Sequence, residues 1–389
     1  MSHNVVVADD GKMNRFIIKK ILNDNMDEVT IFEAVNGVEV FEILRNNDID
    51  LIILDLIMPV KNGFETLKEL KANSELQDIP VIVSSTITEI SSVEKTLGGG
   101  AIDYFAKPFS KEDIEIILPL KVINAIKYYE QKKTIKKLNE AIEEEMKTAN
   151  LFQNLMLPKT NQFSDFDLFI KYRPCMGIGG DFFDCVENEE GFWFMIADVT
   201  GHGIAAGMIS SMVKVMFRNG VNDKEVRSPA EMLGNMNHNV FNYFYTSATD
   251  TSVVFTGFVG LIKDGELFYS SAGQPFPVLY HKRKKLVLSL KQTGMNIGFF
   301  DGIKYIDESV NMDNGDTLLV YTDGLFSSGK SSDFSSWPEV ESFSRENSEL
   351  LEENPHEFLE NIFWHFLSKH KKNDSDYTDD VAIMLIKSK

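Results

Sequence analysis

Acidic residues that could hold a cation follow short apolar runs in the first third of the chain. Asp9-Asp10 follows one run and Asp55 another, while Ser85 and Lys107 follow two later runs. Three carboxylates brought together repel one another by about 4 kcal/mol per pair at 4 Å in a surface-like dielectric. Mg²⁺ relieves such repulsion because it prefers oxygen ligands, and a carboxylate beside it can attack a phosphoryl group. A lysine and a hydroxyl nearby could then hold the phosphoryl oxygens.

Four further acidic motifs lie in the last two-thirds of the chain, each bordering an apolar run. They are GGDFFD at Asp181, ADVTGHG at Asp198, YTDG at Asp323 and DDVAIM at Asp379. Carboxylates without a matching set of His or Cys ligands indicate hard cations, Mg²⁺ or Mn²⁺. Two such cations can lower the pKa of a water molecule and direct it at a phosphate. The motifs therefore predict a second metal site, suited to phosphate chemistry.

The first set of residues requires a parallel sheet to bring it together. The apolar runs are continuous and alternate with helical patterns, which is typical of parallel strands that are buried on both faces. In such sheets the chemistry lies at the carboxyl ends of the strands, where all of these polar residues are expected. The runs are 5–8, 51–54, 81–83 and 102–106. They predict a doubly wound α/β domain over residues 1–118.

This first third resembles the receiver domain of two-component response regulators. The resemblance implies that Asp55 accepts a phosphoryl group from a sensor histidine kinase, and that Lys107, before a proline that is usually cis, contacts that group. It also implies an Mg²⁺ site and a pair of switch residues, Ser85 and Tyr104. The implied Mg²⁺ ligands are Asp9, Asp10, Asp55 and the backbone of Ile57.

The last two-thirds has a different pattern, in which strands are joined by short polar turns and interrupted by a few helices. Such a mixture predicts an α+β domain with largely antiparallel sheets, here over residues 159–389. The expected helices are near 203–219, 229–244 and 355–370. The expected strands are 166–174, 191–200, 252–263, 266–272, 277–281 and 316–322.

The order and spacing of the four motifs resemble the PPM family of metal-dependent serine/threonine phosphatases. Within that family they resemble the bacterial SpoIIE-like branch, which acts on anti-sigma-factor antagonists, and the segment FQNLMLP at 152–158 resembles the start of that branch's domain. The resemblance implies an αββα sandwich and two Mn²⁺ or Mg²⁺ ions. The implied catalytic metal ligands are Asp181, Asp198, the backbone carbonyl of Val199, Asp323 and Asp379.

Several neighbouring residues have less certain roles in this resemblance. Asp184 and Asp380 are candidates for a supporting role around the metal ligands. His202 lies four residues after Asp198, whereas eukaryotic relatives have their histidine two residues after, so a glycine-lined turn explains it equally well. Gln274 replaces the histidine of the branch's usual SAGHN, and Leu325-Phe326-Ser327 stands where an acidic residue is common; both departures concern substrate contacts more than metal binding.

The GGD of the first motif also allows a different interpretation, because it is similar to the GGDEF signature of diguanylate cyclases. A cyclase needs a glutamate after GG(D/E), and Phe182 occupies that position. The cyclase fold has no use for the three later acidic motifs. We therefore interpret Asp181 as part of a phosphatase metal site.

Residues 119–158 form a helical connector in this interpretation. Ser110 to Asp113 has the pattern of a capping box, and Pro119 should kink or restart the helix. Beyond it, apolar residues recur every seven positions, which is typical of an imperfect coiled coil and favours a homodimer. A solvated helix with i,i+4 ion pairs would account for the charges alone. The sevenfold column is Ile135, Ile142, Ala149 and Met156, with Leu138 and Phe152 in a partial companion column.

Composition excludes several other classes of protein. A formal net charge of −20 disfavours binding to nucleic acid or to an anionic membrane surface. No apolar run is long enough to cross a bilayer, and the beginning of the chain lacks the features of a secretory signal. Two cysteines, Cys175 and Cys185, cannot brace a chain of 389 residues, which favours a reducing cytoplasm.

Together these patterns predict a cytoplasmic response regulator whose output is dephosphorylation of a phosphoserine or phosphothreonine on a protein. The resemblance suggests a substrate of the STAS type of anti-sigma-factor antagonist. An alternative is a non-catalytic adaptor, in which a decayed phosphatase domain binds a protein of a sigma-factor pathway. Decay should remove the metal ligands first, and all four core aspartates are present.

Overall fold

The computed structural model describes residues 3–85, 96–108, 110–159, 163–245, 253–291, 294–326, 337–369 and 379–389, with the backbone alone at residues 85, 337 and 369. The chain divides into two compact units, residues 1–142 and 143–389.

The first unit contains a five-stranded parallel sheet with strand order β2-β1-β3-β4-β5. Its strands are β1 His3–Ala8, β2 Val29–Ala34, β3 Leu51–Asp55, β4 Val81–Ser85 and β5 Asp103–Ala106. Its first three helices are α1 Lys12–Asn25, α2 Gly37–Asn46 and α3 Gly63–Ala72. Side chains of α2 and α3 pack in a cluster with one face of the sheet, and side chains of α1 pack with the other. The predicted doubly wound α/β fold is confirmed.

One strand of this sheet, β2, has no counterpart among the predicted runs. Its sequence is VTIFEA, and five of its six residues are half-buried or exposed. Because β2 is an outer strand, it lacks the continuous apolar run that marks the inner strands.

A 39-residue helix, α4, spans Leu118–Met156. A π-helical turn, Asp113–Ile117, precedes it, so the helical path changes just before Pro119, which has no N–H to donate. Ser110 and Asp113 form the expected capping contacts, with the Ser110 Oγ 2.6 Å from an Asp113 carboxylate oxygen. The first turns of α4 are buried against the sheet of the first unit through Val122, Ala125 and Ile126.

The middle of α4 carries exposed apolar side chains. Ile135, Leu138 and Ile142 are each more than half exposed, and every residue from 131 to 145 is exposed. Burying these side chains would remove apolar surface from water, which is the usual driving force for association. The first half of the sevenfold column, Ile135 and Ile142, is therefore available on the surface of the helix, whereas Ala149 and Met156 are half-buried.

The second unit contains two five-stranded sheets in which every pairing between strands is antiparallel. The first sheet has the order β13-β10-β9-β8-β7 and the second has β12-β11-β14-β15-β6. The strands are β6 Phe166–Arg173, β7 Phe182–Asn188, β8 Gly191–Val199, β9 Phe255–Lys263, β10 Glu266–Ala272, β11 Val278–His281, β12 Leu286–Ser289, β13 Glu308–Asn311, β14 Thr317–Tyr321 and β15 Val381–Ser388.

Three apolar clusters organise this unit. One takes side chains from both sheets, including Phe194 and Met384. A second joins the first sheet to α5 Ile204–Asn222 and α6 Pro229–Phe244. The third joins the second sheet to three later helices. Those helices are α7 Trp337–Glu346, α8 Ser348–Glu353 and α9 Pro355–Lys369.

The expected strands and helices of this unit are present with small shifts at their ends, apart from positions outside the described residues such as 252 and 370. Several elements were not predicted. Strand β7 begins within the GGDFFD motif, and β12 and β13 are four-residue strands that are mostly half-buried or exposed and so lack a continuous apolar run. Helices α7 and α8 are also short and rich in charged and polar residues.

Asp184 fastens α5 to strand β7. Its carboxylate is completely buried and lies 2.8 Å from the Lys214 Nζ and 2.6 Å from the Arg218 Nε. Two positively charged side chains, Lys214 and Arg218, thus share the Asp184 carboxylate, which is part of the core.

We expect Asp184→Ala to lower the free energy of unfolding of the second unit by about 3 kcal/mol, since it leaves Lys214 without its buried partner. Tryptophan fluorescence during urea unfolding reports on this unit, because all three tryptophans lie beyond residue 142. The matched control is Asp167→Ala, which breaks a half-exposed pair with Lys389 and should change stability by less than about 1 kcal/mol. Equal effects of the two substitutions would contradict the role given to Asp184.

Candidate functional site

The four aspartates that the motifs predict as metal ligands lie where two pairs of neighbouring strands begin or end. Asp181 directly precedes β7, and Asp198 lies near the end of β8, which pairs with β7 so that Phe182 is opposite Ala197. Asp323 follows β14 and Asp379 precedes β15, which pairs with β14. The antiparallel pairing of β7 with β8 therefore brings Asp181 beside Asp198, and the pairing of β14 with β15 brings Asp323 towards Asp379.

Charge interactions connect carboxylates from different motifs. Burial, with the neighbouring Asp198 and Asp380, raises the pKa of Asp181 well above its ordinary value. Burial and the Asp323 carboxylate raise the pKa of Asp198 in the same direction, with further contributions from Asp379 and Asp380. Without a cation, these acids disfavour one another's charged forms.

One oxygen of Asp181 has no partner in this arrangement. Asp181 is 2% exposed; its Oδ2 accepts a hydrogen bond from the Thr322 hydroxyl at 2.8 Å, while its Oδ1 has no hydrogen-bond partner among the described residues. A buried carboxylate oxygen without a partner is costly unless a cation or another donor reaches it. The residues present therefore fit a site for hard divalent cations.

Asp380 orients the loop before Asp181. Its Oδ1 accepts the N–H of Cys175 at 2.6 Å, and its Oδ2 accepts the N–H of Gly180 at 2.5 Å. Both oxygens are thus occupied by backbone donors, which suits a supporting residue. Gly179 is required in this loop because a Cβ there would collide with the Tyr172 hydroxyl.

Asp323 is brought close to the same region by a tight backbone approach. Gly324 lies against the backbone carbonyl of Asp380, and a Cβ at this position would collide with it. The Thr322 N–H donates to the carbonyl of Ala382 at 3.0 Å, which continues the pairing of β14 with β15. The Asp-Gly of YTDG therefore serves close packing of two strand ends.

The residues with less certain roles have different surroundings in the structure. Asp184 is paired with Lys214 and Arg218 as described above. His202 is exposed at the turn before α5. The carbonyl oxygen of Val199 lies near the Asp181 loop, since a Cβ on Gly180 would be 2.9 Å from it.

Gln274, one of the departures from the resemblance, is buried among structural contacts. It accepts a hydrogen bond from Thr256 and donates to the Tyr321 carbonyl at 3.2 Å. The segment after Phe326 lies outside the described residues. Sequence reasoning missed Thr322 and Tyr172. Thr322 lies within the YTDG motif, of which only Asp323 was predicted to have a role in the site.

The receiver residues of the first unit also meet at the carboxyl ends of their strands. The Lys107 Nζ lies 2.5 Å from the Asp9 Oδ2 and 2.7 Å from the Asp55 Oδ2, and the Lys107–Pro108 bond is cis. One ligand oxygen from each of Asp9, Asp10 and Asp55 lies within 4.8 Å of the others, a fit for a hard cation. Burial raises the pKa of Asp55, and the hydrogen bond from Lys107 opposes that shift.

The other receiver residues are less fully described. Tyr104 is half-buried on β5, and Ile57 is exposed with its N–H donating to the Asp55 Oδ1 at 3.2 Å. The side chain of Ser85 lies outside the described residues. Asp10 is exposed, so the Mg²⁺ site would be open to solvent on one side.

Comparisons with known proteins give the class of each unit. A family model described as "Stage II sporulation protein E (SpoIIE)" matches residues 188–389, just over half of the chain, and one described as "Response regulator receiver domain" matches residues 5–118. The chain belongs to the SpoIIE family, with a receiver domain before its PPM-type phosphatase domain. Asp181 lies before the matched range.

Relatives of known sequence match part of the chain. The chemotaxis protein CheY of Halobacterium salinarum is 30% identical over 114 residues, which are 29% of this chain and 92% of that protein. The transcriptional regulatory protein MalR of Bacillus subtilis is 32% identical over 154 residues, 39% of this chain and 60% of MalR. The hybrid signal transduction histidine kinase D of Dictyostelium discoideum is matched over only 8% of its length.

Among solved structures, the SiaA-PP2C domain of Pseudomonas aeruginosa superimposes with a TM-score of 0.53 and 18% identity. The match covers 65% of this chain and 99% of that chain. At this identity the likeness shows a PP2C-like fold. None of the described helices has the length and apolar content needed to span a bilayer.

We expect Asp198→Asn to stabilise the metal-free protein, because the substitution removes a charge from a cluster of mutually repelling carboxylates. The gain should be about 1.4 kcal/mol or more, the equivalent of one pKa unit. In Mn²⁺ the order should reverse, since only the wild type gains stability from bound metal.

Thermal unfolding in EDTA and in Mn²⁺ measures both effects. The control is Asp313→Asn, an exposed aspartate before β14, which should shift neither curve. A variant that is less stable than the wild type in EDTA would show that Asp198 is not repelled by its neighbours.

Proposed function

We propose that this protein is a two-component response regulator whose output is metal-dependent dephosphorylation of phosphoserine or phosphothreonine on a protein. The observation that carries the proposal is the group of mutually repelling aspartates around the buried Asp181, whose Oδ1 has no partner among the described residues. SpoIIE family membership supports the same activity.

In this proposal the metal ligands are Asp181, Asp198, Asp323, Asp379 and the Val199 carbonyl. A pair of Mn²⁺ or Mg²⁺ ions held there would supply positive charge for the phosphate and a water of lowered pKa. The Thr322 hydroxyl donates to the Asp181 Oδ2. This hydrogen bond directs the Asp181 Oδ1 away from Thr322. Asp380 holds the loop before Asp181. We assign no general acid, because His202 is exposed and stands apart in the sequence from the family's usual position.

Control by the receiver is the second element of the proposal. Asp55 would accept a phosphoryl group from a sensor histidine kinase, with Mg²⁺ held by Asp9, Asp10, Asp55 and the Ile57 backbone. Lys107 already lies against Asp9 and Asp55, where it can neutralise charge on a phosphoryl group. Ser85 and Tyr104 would then respond to phosphorylation.

We place the domain boundaries at 1–118, 119–158 and 159–389, with the connector in α4. The exposed apolar column on α4 supports a homodimer through a coiled coil. The three apolar clusters of the second unit support an αββα sandwich, with two helices on one sheet and three on the other.

The proposed substrate is a phosphorylated STAS-type protein, an inference from the SpoIIE-like resemblance. Phosphoryl transfer from a sensor kinase would take place in the cytoplasm, where we propose that the protein works. A net charge of −20 disfavours nucleic acid and anionic membrane as partners.

We expect the full chain to release phosphate from a phosphorylated STAS-type protein in Mn²⁺ or Mg²⁺ and to stop in EDTA. Asp→Asn at Asp181, Asp198, Asp323 or Asp379 should lower kcat by about 100-fold or more, since each removes a charged ligand. Asp313→Asn is the matched control and should retain full activity. Phosphate release over time measures the effect.

Three outcomes would overturn this assignment. Full turnover by Asp198→Asn would remove that residue from the metal site. Binding of the partner without hydrolysis would favour the adaptor function. Synthesis of cyclic di-GMP from GTP would favour the cyclase.

We expect regulation by Asp55 to depend on the helical phase of α4. An insertion of two residues near Glu143 turns the downstream face by about 200° and should uncouple phosphatase activity from Asp55 phosphorylation. An insertion of seven should largely preserve the coupling because it restores the face. Phosphatase rates with and without a small-molecule phosphoryl donor measure the coupling.

The double variant Ile135→Asp with Ile142→Asp tests the dimer directly. It should lower the dimer fraction in sedimentation experiments while leaving Asp55 phosphorylation intact, because both residues are exposed on the middle of α4. If this variant is monomeric yet responds fully to phosphorylation, the coiled coil is not the route of control.

A further inference from the structure

One buried side-chain amide, that of Gln153, holds the backbone of the loop that precedes Asp181. Gln153, near the end of α4, is 7% exposed. Its Nε2 donates to the Gly179 carbonyl at 2.7 Å, and its Oε1 accepts the Gly179 N–H at 3.1 Å. The side chain thus satisfies both backbone groups of a residue two positions before Asp181.

Only a side-chain amide provides a donor and an acceptor in this arrangement. A carboxylate of the same length would present a second acceptor to the Gly179 carbonyl, and an apolar side chain would leave both backbone groups unpaired. An unpaired buried donor or acceptor bears its full desolvation cost. Gly179 has little freedom to compensate, because the Tyr172 hydroxyl lies directly against its Cα.

Further contacts fix Gln153 and the helix around it. The Gln153 Nε2 also lies 3.3 Å from the Ser210 Oγ on α5, and Asn150 donates to the Gly177 carbonyl one turn earlier. Lys214 of α5 donates to the Met156 carbonyl at the end of α4. The last turns of α4 are therefore fastened to the Asp181 loop and to α5 at several points.

Gln153 also lines a small pocket together with Asp181. A cavity of about 20 Å³ is lined by Gln153, Asp181 and Ser210 among others, room for about one water molecule. Gln153 and Asp181 thus border the same small space. The Gln153 side chain is therefore close to Asp181 in space as well as connected to it through the Gly179 backbone.

We infer that Gln153 is a positioning residue for the metal site, acting through the Gly179 backbone on the placement of Asp181. The inference rests on the proposed function, because it assumes that Asp181 holds a divalent cation. Residues that orient metal ligands from outside the coordination sphere typically change metal affinity 10- to 100-fold when they are replaced.

The test is Mn²⁺ binding by the full chain, measured from the electron paramagnetic resonance signal of free Mn²⁺. We expect Gln153→Met to weaken Mn²⁺ binding at the phosphatase site about tenfold, since it keeps the volume and loses both hydrogen bonds to Gly179 along with the weaker contacts to Ser210 and Tyr172. Because the receiver also binds Mn²⁺ in our proposal, each chain carries Asp55→Asn and Asp9→Asn as a constant background.

Asn154→Ala is the matched control. Asn154 is the neighbouring amide; it is exposed, and its side chain donates to the Asn150 side-chain oxygen at 2.6 Å. It should bind Mn²⁺ as the parent chain does. Gln153→Glu is a second variant, which keeps the acceptor for the Gly179 N–H and loses the donor; it should also bind Mn²⁺ more weakly.

Thermal unfolding in EDTA accompanies each titration, so that binding is compared among folded chains well below their unfolding temperatures. A purely structural role would lower the unfolding temperature and leave Mn²⁺ affinity unchanged. Affinity within twofold of the parent in whichever Gln153 variant folds would overturn the inference. A parent chain that binds no Mn²⁺ at the phosphatase site would overturn both this inference and the proposed function.

Discussion

Burial and neighbouring carboxylates raise the pKa of both Asp181 and Asp198, and the second unit is arranged so that these acids nevertheless stay together. Crowded carboxylates disperse unless the backbone holds them. Two antiparallel strand pairs supply that constraint from different sheets, and Asp380 fixes the loop before Asp181 through two backbone N–H groups. Rigid strand ends thus maintain a charge distribution that is unfavourable without a cation.

The first unit resolves a similar repulsion in a different way. There, Lys107 lies between Asp9 and Asp55 and provides a built-in positive charge. In the described part of the second unit, Asp181 receives a hydroxyl hydrogen bond from Thr322 instead of a cationic side chain. The carboxylates of the first unit are therefore partly neutralised by a side chain of the same unit, whereas Asp181 has only a neutral donor among the described residues. This difference suits a switch in one unit and a metal-dependent catalyst in the other.

Elements with continuous or periodic apolar patterns could be predicted from the sequence, and most elements without such patterns could not. The inner parallel strands and helices α5, α6 and α9 have continuous or periodic apolar patterns. Strand β2 lies at a sheet edge and is only partly buried, and β12 and β13 have four residues each. Their formation depends on a neighbouring strand rather than on their own sequence, since strand propensity depends strongly on context.

The sequence by itself determined which acidic motifs stand at strand ends, because an apolar run followed by a carboxylate is a local pattern. Only the tertiary structure decided which acids share a site. Asp184 and Asp380 looked equivalent in sequence, yet one pairs with Lys214 and Arg218 and the other holds the Asp181 loop. Gln153 lies within the FQNLMLP segment, but its contact had no local signal, because its partner Gly179 is 26 residues away. Register, burial and long-range hydrogen bonding are set by how the sheets and helices pack, which no short stretch of sequence contains.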